Sequence, residues 1–222
     1  MKKLLKILIP CLLIPVVIII GVITGDKNYA AVSVIVAVLA CVPFFLSFES
    51  TFTGRKIVIL AVMTALSVAG RFIFAPIPFF KPVTAMVIIA AMYFGAEFGF
   101  LTGALSAVLS NFYFGQGPWT PFQMFAWGFI GFISGVLADP LRRSKIALVL
   151  YAIGSGFVYS LIMDTWTSMW ADGSFVLSRF LAATYVSLPV TAVYIASNII
   201  FLLVLTPLIG AKIERLITKY GL

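Results

Sequence analysis

The chain is predicted to be all-α: a polytopic bundle of membrane helices. Three observations carry that reading. Hydrophobic residues fill 63% of the 222 positions and charged residues only 10%, far from the balance of a soluble domain. The apolar residues fall in successive long runs with short polar breaks, which leaves no stretch for a separate soluble unit. The basic residues gather at the ends of alternate runs, as they do when lipid lies between them.

A helix needs about 20 apolar residues to cross a bilayer, fewer where protein shields it. On that ruler spans fall near 5–24, 29–48, 56–75, 83–96, 98–114, 121–139, 146–165 and 183–209. The first follows Met1-Lys2-Lys3-Leu4-Leu5-Lys6 and resembles a secretory leader. Its apolar run Ile7–Ile23 exceeds the usual length of about 7–15 residues, and Thr24-Gly25-Asp26-Lys27 offers no small-x-small cleavage site. It is therefore read as a retained helix. The first two spans are rich in β-branched residues and poor in polar ones, so residues 1–54 form two accessory N-terminal transmembrane helices. Residues 55–222 form a six-helix core.

The first core span, 56–75, carries Ala61, Ala65 and Ala69 at i, i+4 and i+8, a nearly flat stripe along one helix face. Packing inside the bundle and docking of a second membrane protein both account for such a stripe, and periodicity does not separate them. The fourth and fifth spans are short, and Glu97 is the only charge between them. Gly95, Gly99 and Gly103 continue into Ala107, while Gly131 and Gly135 lie in the sixth span. Glycine inside a helix costs about 0.8–1 kcal/mol relative to alanine, so its repetition predicts tight contact between helices of this chain.

Eleven of the fifteen Lys and Arg residues share one side: Lys2, Lys3, Lys6, Arg55, Lys56, Arg142, Arg143, Lys145, Lys212, Arg215 and Lys219. Lys27, Arg71, Lys81 and Arg179 are left for the other. That bias places both termini in the cytoplasm and makes the net charge of +8 a sign of orientation rather than of nucleic-acid binding. The outer connections are then 25–28, 75–82, 115–120 and 164–179. The last is read as a long loop or as a short helix lying on the membrane. Trp119, Trp166 and Trp170 fall on this side, as an interfacial belt or as part of a pocket.

Catalytic equipment is missing. The chain has no His, its acids form no paired-carboxylate motif, and no glycine-rich phosphate loop with Lys and Ser/Thr occurs. Cys11 and Cys41 lie in apolar runs and read as small hydrophobes. Neither an enzyme, a metal site nor a cofactor is expected, and any ATP hydrolysis must come from partners.

Polar groups near the outer side are the substrate candidates: Asn111, Tyr113, Gln116, Gln123, Asp164, Tyr194 and Asn198, with Phe79 and Lys81 in the preceding loop. Trp119, Trp127 and Trp166 offer ring faces. Arg71 lies within the third span, where a charge is a functional candidate by default; snorkelling or pairing with Asp164 would also account for it.

These residues resemble a known family. From Arg55 onward the chain looks like the S component of an energy-coupling factor (ECF) vitamin transporter. The resemblance rests on the alanine stripe, the Pro76-Ile77-Pro78-Phe79-Phe80-Lys81-Pro82 loop, and the segment from Asn111 to Met124 with Trp127-Gly128 after it. It implies a membrane subunit that captures a vitamin from outside under closing loops. That subunit would dock through Ala61, Ala65 and Ala69 on a shared transmembrane coupling subunit joined to two cytoplasmic ATPases. It also implies a six-helix pattern, from which the two N-terminal spans depart. The Gly115–Gln123 loop is most similar to that of cobalamin-type members, with riboflavin or another heterocyclic nutrient as the alternative. The rival class is a stand-alone secondary transporter or channel, with Arg71 and Asp164 as gating charges; absence of a co-purifying ATPase pair would mark it.

Overall fold

The computed structural model describes residues 8–24 and 53–220, together with 31, 32, 35, 36, 38, 39 and 42. Lys2, Lys3, Lys6, Lys27, Cys41, Glu49 and most of the expected second span lie outside the described residues. A π-helical turn, Ile9–Leu13, leads into α1 (Ile14–Thr24). There follow α2 (Gly54–Ile73), α3 (Val83–Phe94), α4 (Ala96–Phe114), α5 (Thr120–Val136), the short α6 (Ala138–Arg143), α7 (Lys145–Asp172) and α8 (Leu177–Tyr220). The described residues contain no strand. The helical membrane bundle expected from composition is the observed fold.

By length and composition α2, residues Lys145–Ala171 of α7, and α8 qualify as membrane spans. The 12-residue α3 is too short to do so alone, at about 1.5 Å of rise per residue. It does not need to be longer, because protein surrounds it. Every residue from Val83 to Met92 is buried, and α2, α4, α5 and α8 all pack against it. A helix apolar on every side belongs in the middle of a bundle. Contacts of α2 with α4, α4 with α5, α5 with α7 and α7 with α8 complete a wall around it. The π-helical turn before α1 leans on α5, with Ile9 and Ile14 buried.

The break between the fourth and fifth spans falls at Gly95, not around Glu97 as the charge pattern indicated. Gly95 has φ 99° and ψ 171°, a backbone state essentially confined to glycine, and it both ends α3 and starts α4. Glu97 lies in the first turn of α4, where a carboxylate favours the helix dipole.

The long outer connection 164–179 is also corrected. Helix α7 runs unbroken to Asp172 and α8 begins at Leu177. The polar residues that imitate a loop bond within helices. Thr165 and Thr167 donate to the carbonyls of Leu161 and Met163 at 2.8 and 3.0 Å. Helix α8 is longer at both ends than the span expected at 183–209, and it passes through Pro189 and Pro207.

The glycine stripe closes the α4–α5 seam. A Cβ on Gly99 would lie 2.6 Å from the Gly131 carbonyl oxygen, and one on Gly131 would lie 2.4 Å from the Gly99 carbonyl oxygen. At Gly103 it would meet the Trp127 carbonyl carbon at 2.5 Å, and at Gly135 the Ala96 Cα at 2.3 Å. Two backbones touch here, so no side chain fits between them.

Candidate substrate site and docking face

Helices α2 and α4 rise in parallel toward the end of the bundle that bears the 74–82 and 115–119 loops; α3 and α5 descend from it. This aromatic end gathers most of the candidate residues. Arg71, in the last turn of α2, reaches sideways to α4. Its Nη1 donates to the Ser110 hydroxyl and, at 2.8 Å, to Asn111 Oδ1. Its guanidinium carbon lies 4.6 Å from the centre of the Phe114 ring and 5.3 Å from that of Trp127. Aromatic faces attract a cation, more strongly where water is scarce. The expected alternative partner, Asp164, is held elsewhere.

From Asn111 the hydrogen bonds run onward. Its Nδ2 donates to Thr120 Oγ1 at 3.0 Å and to Gln123 Oε1 at 2.7 Å. Gln123 Nε2 donates to the Tyr159 hydroxyl at 2.8 Å, which joins α5 to α7. Thr120 donates to Gln116 Oε1 at 3.0 Å, and Gln116 Nε2 donates to the Val108 carbonyl at 2.8 Å. Asn111, Thr120, Gln123 and Tyr159 are buried, so each polar atom must be matched inside the protein. The network is anchored on Arg71 and spans four helices. Nε and Nη2 of Arg71 donate to no acceptor among the described residues.

Aromatic rings line the same end. Trp127 stacks on Tyr159 with centroids 5.4 Å apart and planes 23° from parallel, and Tyr159 meets Tyr194 edge-on at 5.0 Å. Nearer the loop, Trp119 meets Trp166 at 5.8 Å, and Trp166 stacks on Trp170 at 5.7 Å. Gly117 leaves the space Trp119 occupies: a Cβ there would fall 2.1 Å from the indole. Gly115, with φ 103°, ends α4 so that this loop can turn back.

The 74–82 loop is tied down by Lys81. Its ammonium donates to the carbonyls of Phe74, Ala75 (3.1 Å) and Ile77 (2.7 Å). Burial, and then the nearby Arg71 charge, hold that ammonium below its ordinary pKa. Phe74 and Phe80 pack on Phe201 of α8 at 4.8 and 5.0 Å. Phe79 takes a positive φ of 60° and meets Tyr194 edge-on at 5.9 Å. The loop thus spans from α2 to α8 over the network.

Three of the sequence candidates lie apart from this cluster. Tyr113 is 72% exposed and contacts Phe72 and Phe114 on the outside of the bundle. Asp164 accepts from Ser187 at 2.8 Å, and Asn198 donates to Ser155 at 3.1 Å. With the Thr191–Ser160 bond of 2.7 Å they form a polar ladder down the α7–α8 seam. Conversely, Ser110, Thr120 and Tyr159 belong to the network and were missing from the sequence candidates. Tyr159 carried a signal, being a polar aromatic inside an apolar run.

The alanine stripe faces away from all of this. Ala61, Ala65 and Ala69 are exposed, while Leu60, Met63, Thr64 and Ser67 of the same helix point inward and are buried. The stripe floors a shallow groove of about 500 Å³ between α2 and α4, walled by Phe72, Leu105 and Leu109.

Comparison with known proteins decides the class. A family model described as "ECF-type riboflavin transporter, S component" matches residues 51–215, well over half of the chain. The chain belongs to that family. No curated protein and no solved structure matches it.

The protein is therefore the substrate-binding membrane subunit of an ECF-type transporter and not a member of an enzyme class. Membership implies a vitamin substrate and the partner subunits of the ECF module. The match begins just before α2 and ends within α8, so the S-component family covers the helices that build the aromatic end and the alanine face.

Proposed function

We propose that this S component binds a flat heterocyclic vitamin of the riboflavin type at the aromatic end. It would deliver the ligand by docking its alanine face on the coupling subunit of the ECF module, which joins two ATPases. The observation that carries the ligand assignment is the state of Arg71. It is a cation at membrane depth, held only by neutral side chains and ring faces, with Nε and Nη2 donating to nothing among the described residues. Such a group is matched by a ligand that brings ring carbonyls to the guanidinium and a planar π-system to the rings around it.

The family's name and the tight ring spacings favour a planar ligand over a corrin. Trp127 and Tyr159, or Trp166 and Trp170, part by one ring thickness to admit a planar ring system. A corrin, with its axial ligands and many side arms, needs a far wider opening. The resemblance of the 115–123 loop to cobalamin-type members keeps cobalamin as the competitor in the test. The charge bias, with Arg142, Arg143, Lys145, Lys212 and Arg215 at the opposite end, supports an outward-facing aromatic end and cytoplasmic termini.

The test is a titration of purified protein with riboflavin and, separately, with cobalamin. Stacking on indole and phenol rings should quench flavin fluorescence at saturation, and Arg71→Met should weaken binding by on the order of tenfold or more, as expected for a charge-assisted hydrogen bond. Unquenched flavin alongside saturable cobalamin binding would replace the riboflavin assignment.

A further inference from the structure

At the end of the bundle opposite the aromatic cluster lies a groove of about 620 Å³, bounded by Tyr93 of α3, α6, the start of α7 and the second half of α8. It is built as follows. Leu141 is buried and pins α6 to the bundle, which holds the adjacent Arg142 and Arg143 at the groove's edge. Ser144 is extended and caps α7 by accepting from the Ala147 N–H at 3.2 Å, and Lys145 follows on the same rim. Three cations therefore converge within four residues.

Only one of them is neutralised. Arg142 pairs with Glu214 of α8 at 3.3 Å and lies 4.8 Å over the Tyr93 ring, which fixes it in place. Arg143 and Lys145 have no acidic partner among the described residues. The wall below them is apolar, formed by Leu148, Leu202 and Leu203. Two uncompensated cations on the rim of this groove favour an amphipathic occupant that carries negative charge.

We propose that this groove binds one anionic phospholipid, its phosphate held by Arg143 and Lys145 and its acyl chain laid against Leu203 over the Leu148–Leu202 floor. The exposed Leu203 beside the cations argues for a lipid rather than a soluble anion, which would leave that side chain uncovered. A zwitterionic headgroup is disfavoured because it brings its own cation against the two already unpaired. The groove is on a different face from the alanine stripe, so both can be occupied at once.

The experiment is native mass spectrometry of the full chain after incubation with phosphatidylglycerol or phosphatidylcholine. Wild-type protein should retain one phosphatidylglycerol in preference to phosphatidylcholine by on the order of tenfold, as about two uncompensated cations imply. Arg143→Gln/Lys145→Gln, which spares the Arg142–Glu214 pair, should lower that preference several-fold. Lys212→Gln/Arg215→Gln, on another part of the basic end, should leave it unchanged. Equal retention of the two lipids, or equal loss in both double variants, would reduce the cluster to a diffuse charge effect and overturn the site. So would displacement of the lipid by inorganic phosphate, which indicates a soluble anion. Unchanged lipid retention with loss of ECF-module co-purification in Arg143→Gln/Lys145→Gln would give the groove to a protein partner instead.

Discussion

Three helices of the bundle carry small residues at the same four-residue spacing, and these have two opposite fates. Gly99, Gly103, Gly131 and Gly135 are buried backbone to backbone in the α4–α5 seam, with no room for a single added carbon. Ala61, Ala65 and Ala69 on α2 face outward over an open groove. The difference lies in what each contact requires. Permanent contact within one chain selects glycine, which costs helix propensity but lets backbones meet. On the proposed docking role, the exposed face stands alone before meeting a partner, and alanine there preserves the helix while remaining smooth. The polar groups divide the same way. The α7–α8 ladder is paired rung by rung, whereas Arg71 is left with donors to spare.

The severest way to break this comparison is to enlarge the glycine seam. Gly131→Leu should destabilise the protein beyond the about 1–3 kcal/mol usual for overpacking, because a backbone rather than a movable side chain stands in the way. Loss of the folded monomer on size-exclusion chromatography is the expected readout, and Ala65→Leu should melt like wild type. Equal tolerance at both positions would erase the distinction. Next in size, Ala65→Trp should abolish uptake and co-purification with the ECF module while ligand affinity stays unchanged. Arg71→Met should follow, with affinity falling by on the order of tenfold or more and the melting temperature falling too, because the buried Asn111 Oδ1 loses its donor.

The smallest effect is expected from the closed polar ladder. Thr191→Val removes one interhelical hydrogen bond, typically worth about 0.6 kcal/mol in a membrane protein, and should shift the melting temperature slightly with no change in ligand affinity. Asp164→Asn should behave likewise. A large loss of binding in that variant would move Asp164 from the seam to the ligand site.

Much of the bundle was legible in the chain because apolar length and charge placement follow directly from the bilayer. The exceptions share a cause. Glu97 drew attention as the only charge in its stretch, yet a helix turn accommodates a carboxylate easily, and the break needed the backbone freedom of Gly95. Residues after Asp164 resemble a loop because their hydroxyls are polar, although Thr165 and Thr167 satisfy theirs on the preceding turn. Within the candidate site, Arg71, Asn111, Gln123 and Trp127 stand out as unusual residues at membrane depth, and Gln116 as a polar residue of the outer loop. Ser110 and Thr120 do not, because their part depends on which side chains stand opposite. Periodicity likewise showed the alanine stripe but not its direction, which is fixed by the packing of α2 on α3 and α4.

That direction is also what most needs a direct test. A photo-crosslinking amino acid placed at position 65, and in a second variant at the exposed position 185 on α8, should be irradiated in the assembled transporter. A crosslink to the ECF coupling subunit is expected from position 65 and none from position 185. Capture of the coupling subunit from position 185 alone, or only intramolecular products from position 65, would contradict it.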